Sequence, residues 1–274
     1  MISGSAKFKA ACVQVNASDD MAENIELASN LVRQAAFCGA ELVLLPENVV
    51  MMTFGADAIR SHAFTQSEHP AIPAFSALAI ELDIWLHGGT LAIKTGDKIA
   101  NRSFVFAPDG TVHVTYDKIH MFDVDLANGE SYRESETFAA GSEKSMVELP
   151  WGGMGLTTCY DVRFPHLYRA LANLGAKMLA VPAAFTVSTG KAHWEILLRA
   201  RAIENGCYVF APAQTGDHFG GRQTYGHSLI IDPWGKVIAG AADGPEIIIA
   251  NIDIDRVDEV RAQIPSLSHT RDFS

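Results

Sequence analysis

Cysteine is scarce in this 274-residue chain: Cys12, Cys38, Cys159 and Cys207 stand far apart, and no two form a CxxC pair. That excludes a disulfide framework or a zinc site built on paired thiols. It favours a reducing compartment with free thiols, the cytoplasm by default. Basic residues are outnumbered, 21 Lys and Arg against 32 Asp and Glu, giving a formal net charge of −11. Neither nucleic acid nor an anionic membrane is expected as a partner, although one pocket can still be locally basic. No uninterrupted apolar run reaches the ~18–20 residues of a membrane span, and no long apolar stretch follows Met1. A spanning helix and a secretory leader are therefore not expected. The ten histidines form no HExxH or other ligand spacing, so no metal is expected, and the absence of GxSxG disfavours a serine nucleophile elbow. There is no charged linker, low-complexity tract or short repeat, and residues 1–274 are expected to form one domain.

What is present is a pattern of buried strands alternating with helices. Residues are 48% hydrophobic and 19% charged, the balance of a compact globule. Strands are expected at 8–15, 41–47 and 83–93, with a helix capped by Asp19 or Asp20 after the first and one at 73–82 after the second. Residues 101–118 read as a hairpin turning at Pro108-Asp109-Gly110. Residues 121–141 are irregular and polar, the kind of long connection that often serves as a binding loop or lid. Further strands are expected at 178–181, 207–211 and 247–254, a helix at 192–205, and a second hairpin turning at Asp232-Pro233-Trp234-Gly235. The alternation indicates an α/β fold with a mixed sheet or two stacked sheets.

The most informative stretch is 153–165. A short apolar strand ends at Cys159, and Pro165 is placed for the first turn of a helix that Gly175 ends. Backbone N–H groups and the helix dipole at such a turn favour a thiolate and a developing oxyanion. A buried, inert thiol fits the same pattern. Glu47 and Lys118 also close buried strands, where an unpaired charge is costly. A structural ion pair beside a thiol is one account of the three residues. Acyl transfer is the other: Cys159 attacks, Glu47 moves the proton, and Lys118 with the Tyr160 backbone N–H holds the oxyanion.

The segments Leu44-Leu45-Pro46-Glu47, Tyr116-Asp117-Lys118-Ile119-His120 and Cys159-Tyr160-Asp161-Val162-Arg163-Phe164-Pro165 resemble the three catalytic blocks of the nitrilase superfamily, the carbon–nitrogen hydrolases. The resemblance continues in order through Val181-Pro182-Ala183-Ala184-Phe185, His193-Trp194-Glu195 and Tyr225-Gly226-His227-Ser228. It implies a four-layer αββα sandwich, a triad of Glu47, Lys118 and Cys159, and no cofactor. A further family glutamate is matched best by Glu134, with Glu130 and Glu136 close by. It also implies a homodimer or higher homo-oligomer packed through the helices near 165–174 and 192–205, although core packing explains those helices equally well. The implied reaction is hydrolysis of a small linear carboxamide to acid and ammonia through an acyl-thioester.

The blocks resemble those of both deaminated-glutathione amidases and omega-amidases; the run Gln223-Thr224-Tyr225-Gly226-His227-Ser228 is closer to the former and Ile264-Pro265 to the latter, and deaminated glutathione is the preferred substrate. Omega-amidases of the α-ketoglutaramate type, N-carbamoyl amino-acid hydrolases, nitrilases and an inactive binding protein are the alternatives. Such amide substrates carry carboxylates and need a cation: Arg163 is the first candidate, with Arg222 and Arg133 as alternatives. Tyr160, Phe185, Thr186 and Tyr225 are expected to line the pocket.

Overall fold

The computed structural model describes residues 6–53, 55–127 and 129–271. Strand β1 (Lys7–Gln14) leads into helix α1 (Met21–Phe37), capped by Asp20, whose carboxylate accepts from the N–H groups of Ala22 and Glu23. Strand β2 (Leu42–Leu44), helices α2 (Ala56–His62) and α3 (Ala71–Leu82), and strands β3 (Trp85–Thr95), β4 (Lys98–Phe106) and β5 (Val112–Asp117) follow. A connecting arm carries β6 (Asp123–Asp125), β7 (Ser131–Arg133) and β8 (Phe138–Ala139). Then come β9 (Ser145–Leu149), β10 (Gly152–Leu156), α4 (Pro165–Asn173), β11 (Met178–Ala180), α5 (Val187–Asn205) and β12 (Tyr208–Ala211). The chain goes on through β13 (Thr215–Asp217), β14 (Gln223–Tyr225), β15 (Leu229–Ile231), β16 (Val237–Gly240), β17 (Glu246–Asp253) and α6 (Asp255–Gln263).

The strands build two large sheets. One has the order β17-β1-β2-β3-β4-β5, with β8 beside β4, and the other β16-β15-β12-β11-β10-β9. Each has three parallel strands at its centre, β1-β2-β3 and β10-β11-β12, and antiparallel neighbours outside them. Period-two alternation decides which side chain enters which layer. In β1, Ala11 and Val13 face α1 and α3, while Ala10 and Cys12 face the other sheet. In β11 and β12, Met178, Ala180 and Phe210 meet that sheet, while Leu179 and Val209 pack under Leu171 of α4 and Trp194 and Leu198 of α5. Three apolar layers separated by two sheets make the expected αββα sandwich. Each buried Val, Leu or Phe contributes roughly 1.5–3 kcal/mol of transfer free energy.

Four local expectations are corrected. The second strand stops at Leu44 because Pro46 has no N–H to give a ladder, so Glu47 sits in the turn beyond it. Helix α5 begins at Val187, five residues earlier than its apolar periodicity indicates. Helix α2 has no buried stripe and is missed by a periodicity reading. The 121–141 arm holds a short hairpin, β6 with β7, instead of being irregular throughout.

Candidate active site

Glu47 is positioned by both halves of the molecule. Gly89, at φ +65°, lets the backbone of β3 come against the Pro46 carbonyl, where a side chain would clash. The next residue, Thr90, donates its N–H to that carbonyl and accepts the Asn48 N–H on its hydroxyl. From the other half, Gln214 Nε2 donates to the carbonyls of Glu47 and Asn48. The carboxylate is buried and fully engaged: Oε1 accepts from Lys118 Nζ at 3.0 Å and Asn101 Nδ2 at 2.8 Å, and Oε2 from the Ala184 N–H at 2.9 Å. Burial opposes its charge. The Lys118 ammonium and the hydrogen bonds outweigh burial and hold the carboxyl below the usual range.

Lys118 follows β5 and hangs between two carboxylates. Its Nζ lies 3.0 Å from Glu47 Oε1 and 2.9 Å from both oxygens of Glu134. Burial works against the ammonium, but Glu134 and Glu47 raise it well above the usual lysine range. Of the three glutamates at 130, 134 and 136, Glu134 is the one on Lys118. It also ties the arm down by accepting the Phe122 N–H at 2.6 Å.

Cys159 opens a 3-10 turn, Cys159–Arg163, with φ +47°, a left-handed conformation uncommon for a residue with a side chain. Its N–H donates to the Pro182 carbonyl at 2.9 Å, which fixes the turn on the loop after β11. The expectation of a resting thiolate is corrected. Burial and the neighbouring Glu47 carboxylate raise the thiol well above its ordinary pKa despite Lys118, and helix α4 starts only at Pro165. The arrangement is a thiol beside an ionised base, set for proton transfer during attack.

Asp161 is the residue the sequence reading missed. It is fully buried and gathers both sides of the site. Oδ2 accepts from the Thr158 N–H at 2.8 Å and the Tyr116 hydroxyl at 2.6 Å; Oδ1 accepts from the His120 N–H at 3.0 Å and His120 Nδ1 at 2.7 Å. Tyr116 and His120 flank Lys118, and Thr158 precedes Cys159, so one carboxylate joins the lysine strand to the cysteine turn. The signal available was a capping pattern, Thr158 followed by Asp161 three residues on.

Glu47, Lys118, Glu134 and Cys159 share the wall of one cavity of about 360 Å³. Tyr160, Phe185 and Thr186 line it as expected. Arg163 and Tyr225 are not on its wall. The Arg163 guanidinium lies over the rings of Phe185 and Tyr160 and reaches His193, while Asp161 is occupied by His120, Tyr116 and Thr158. Tyr225 packs into the space over Gly190 in α5 and stacks on His227. Arg222 and Arg133 line the cavity instead, as do Met51, Ile59 and His62 around the unexpected helix α2.

Two sheets between helical layers, with an acid, an ammonium and a thiol in one cavity, define a cysteine-centred αββα hydrolase. The chain belongs to the carbon–nitrogen hydrolase family, whose model, Carbon-nitrogen hydrolase, matches residues 9–262. It is 42% identical over 266 residues to a deaminated glutathione amidase of Synechocystis sp. (strain PCC 6803 / GT-S), spanning 96% of this chain and 97% of that protein. It is 37% identical over 265 residues to the omega-amidase NIT2 of Danio rerio, spanning 97% and 95%. The solved structure of Saccharomyces cerevisiae Nit3, a member of branch 10 of the nitrilase superfamily, matches with a TM-score of 0.88 at 33% identity, over 97% of each chain.

Proposed function

We propose that this hydrolase is an amidase working through an acyl-thioester on Cys159, with deaminated glutathione as its substrate. The observation that carries the chemistry is the Lys118 ammonium held between Glu47 and Glu134 beside a protonated thiol. Cys159 sulfur bonds to the amide carbon as its proton passes to Glu47. Lys118 and the Tyr160 N–H stabilise the oxyanion. The carbon–nitrogen bond then breaks, and Glu47 returns the proton to the departing amine. Water next gives a proton to Glu47 and attacks the thioester, releasing the acid, and the sulfur recovers its proton. Glu134 keeps Lys118 in place and charged.

The substrate reading is supported by the higher identity to the deaminated glutathione amidase than to the omega-amidase. It revises the leaving group: the amide nitrogen of deaminated glutathione belongs to its cysteinylglycine part, so that amine departs, whereas ammonia departs from an ω-amide. An omega-amidase acting on α-ketoglutaramate is the second reading, favoured by the near-complete match to the Danio rerio relative. The test is a panel of both amides, a nitrile and an N-carbamoyl amino acid, following the amine, ammonia and carbon dioxide, with Cys159→Ala as control. Fast turnover of deaminated glutathione alone is expected; turnover of none by wild type overturns the assignment.

A homodimer through α4 and α5 fits the apolar side chains exposed on that face, Leu174, Ile196, Ile203 and the adjacent Trp234. Light scattering of Ile196→Glu against wild type tests it. The buried free thiols Cys12, Cys159 and Cys207 favour a reducing compartment, the cytoplasm.

A further inference from the structure

Arg222 stands out on the cavity wall because the protein leaves its guanidinium underused. Its Nε is buried and has no hydrogen-bond partner, and Nη2 makes one long bond, 3.3 Å, to the Ala184 carbonyl. Among the described residues no carboxylate lies within ion-pair distance of it. The other cations of the site are engaged: Lys118 by two glutamates, Arg133 by both oxygens of Asp125, and Arg163 by aromatic rings and His193. A buried guanidinium N–H without an acceptor is costly, and guanidinium matches a carboxylate in a two-bond fork.

The segment that carries Arg222 is firmly held. The Arg222 carbonyl accepts the His218 N–H at 2.8 Å. The buried His218 ring donates from Nδ1 to the Ala17 carbonyl at 2.8 Å, leaving Nε2 to accept from the Thr224 hydroxyl at 2.6 Å. Thr224 in turn bridges to Thr186 on the cavity wall. Thr186 and Thr189, whose hydroxyls lie 2.8 Å apart, line the same cavity. The cation is thus tethered beside neutral hydroxyl donors, a short way along the wall from Glu47.

We infer that Arg222 recognises a carboxylate of the substrate and selects anionic amides over their uncharged counterparts. The inference rests on the amidase reading and names the residue behind its selectivity. The test compares kcat/KM on deaminated glutathione and on its dimethyl ester, in wild type, Arg222→Gln, Arg222→Lys and Arg163→Gln. Arg222→Gln is expected to lower kcat/KM on the acid about 100-fold, mainly through KM, and on the ester far less, so that the preference collapses. Arg222→Lys should restore part of it, and Arg163→Gln should leave the acid-to-ester ratio in place. An equal fall on both substrates, an unchanged acid, or collapse of the ratio in Arg163→Gln overturns the inference. If wild type hydrolyses neither amide, the amidase reading falls by itself. Calorimetric binding of α-ketoglutarate to Cys159→Ala, with and without Arg222→Gln, then still decides the inference: Arg222-dependent binding supports it and Arg222-independent or absent binding overturns it.

Discussion

Lys118 and Arg222 are two cations on one cavity wall, and they are treated in opposite ways. Lys118 is buried, with carboxylates at 2.9–3.0 Å on two sides. Arg222 is half-buried, with one long bond to a carbonyl and a buried Nε left over. The first charge is already satisfied inside the protein, so it can hold other groups in place and stabilise charge that appears during reaction. The second remains to be satisfied, and a ligand can do that. A buried guanidinium N–H left open on the cavity wall is, on the inference above, the place where a substrate charge belongs.

The largest expected effect lies on the satisfied side. In the proposed mechanism Cys159→Ala removes the sulfur that forms the intermediate, and turnover should fall by at least about 10⁴-fold with the fold intact. Glu47→Gln should abolish the single-turnover burst of amine; a normal burst refutes its role as base. Lys118→Met leaves a buried carboxylate, Glu47, and a partly buried one, Glu134, without the cation between them, and stability should drop by about 3–5 kcal/mol in denaturant titrations. Adding Glu134→Gln to that variant should recover part of the loss. If Lys118→Met is as stable as wild type, the contrast between the two cations fails at its stronger end.

The same contrast explains what could be read from the sequence. The layers were legible because short apolar runs, as in Ala10-Ala11-Cys12-Val13, and helix periodicity report burial directly. The acid, ammonium and thiol drew notice as polar groups closing apolar strands, but their joint role was legible only through the resemblance of their three blocks to the nitrilase superfamily. Arg163 was misplaced because a cation two residues before Pro165 has no periodicity to say which way it points; two aromatic rings decided that. Asp161 was overlooked because its four donors come from residues 116, 120 and 158, a long-range meeting that local spacing does not contain. Helix α2 reaches the cavity wall without burying a face of its own, so its sequence carries no amphipathic mark.

A smaller effect comes from buried histidines, whose charged form burial disfavours. His87 accepts the Gly89 N–H on Nδ1, and burial lowers its pKa from 6.5 to about 4; His69 is likewise lowered to about 4 by burial. Between those values the unfolded chain takes up protons that the native state refuses. Stability is therefore complete above about pH 6.5 and is lost as pH falls toward 4, by up to about 3 kcal/mol for His87. Urea midpoints from pH 7 to 4.5 should fall accordingly, and a flat profile contradicts the assignment. Asp161→Asn should cost about 2 kcal/mol, since a neutral amide serves four donors poorly. It should also lower kcat more than KM, because it acts through the placement of Lys118 and Cys159; an unchanged kcat would reduce Asp161 to a structural role.

The smallest effect on stability is expected at Arg222, and it is the one that sharpens the comparison most. Truncating a group whose interactions are already complete strands its partners, whereas truncating one that is poorly paired strands almost nothing. Arg222→Gln should shift stability by less than about 1 kcal/mol, the loss of one long bond to Ala184 being offset by relief of the unpaired Nε. Set beside the loss in Lys118→Met, that near-neutral value would show that the two charges on one wall serve different ends. A loss at Arg222 as large as at Lys118 would mean that the protein itself depends on this guanidinium, and the case for a charge held open for a ligand would collapse with it.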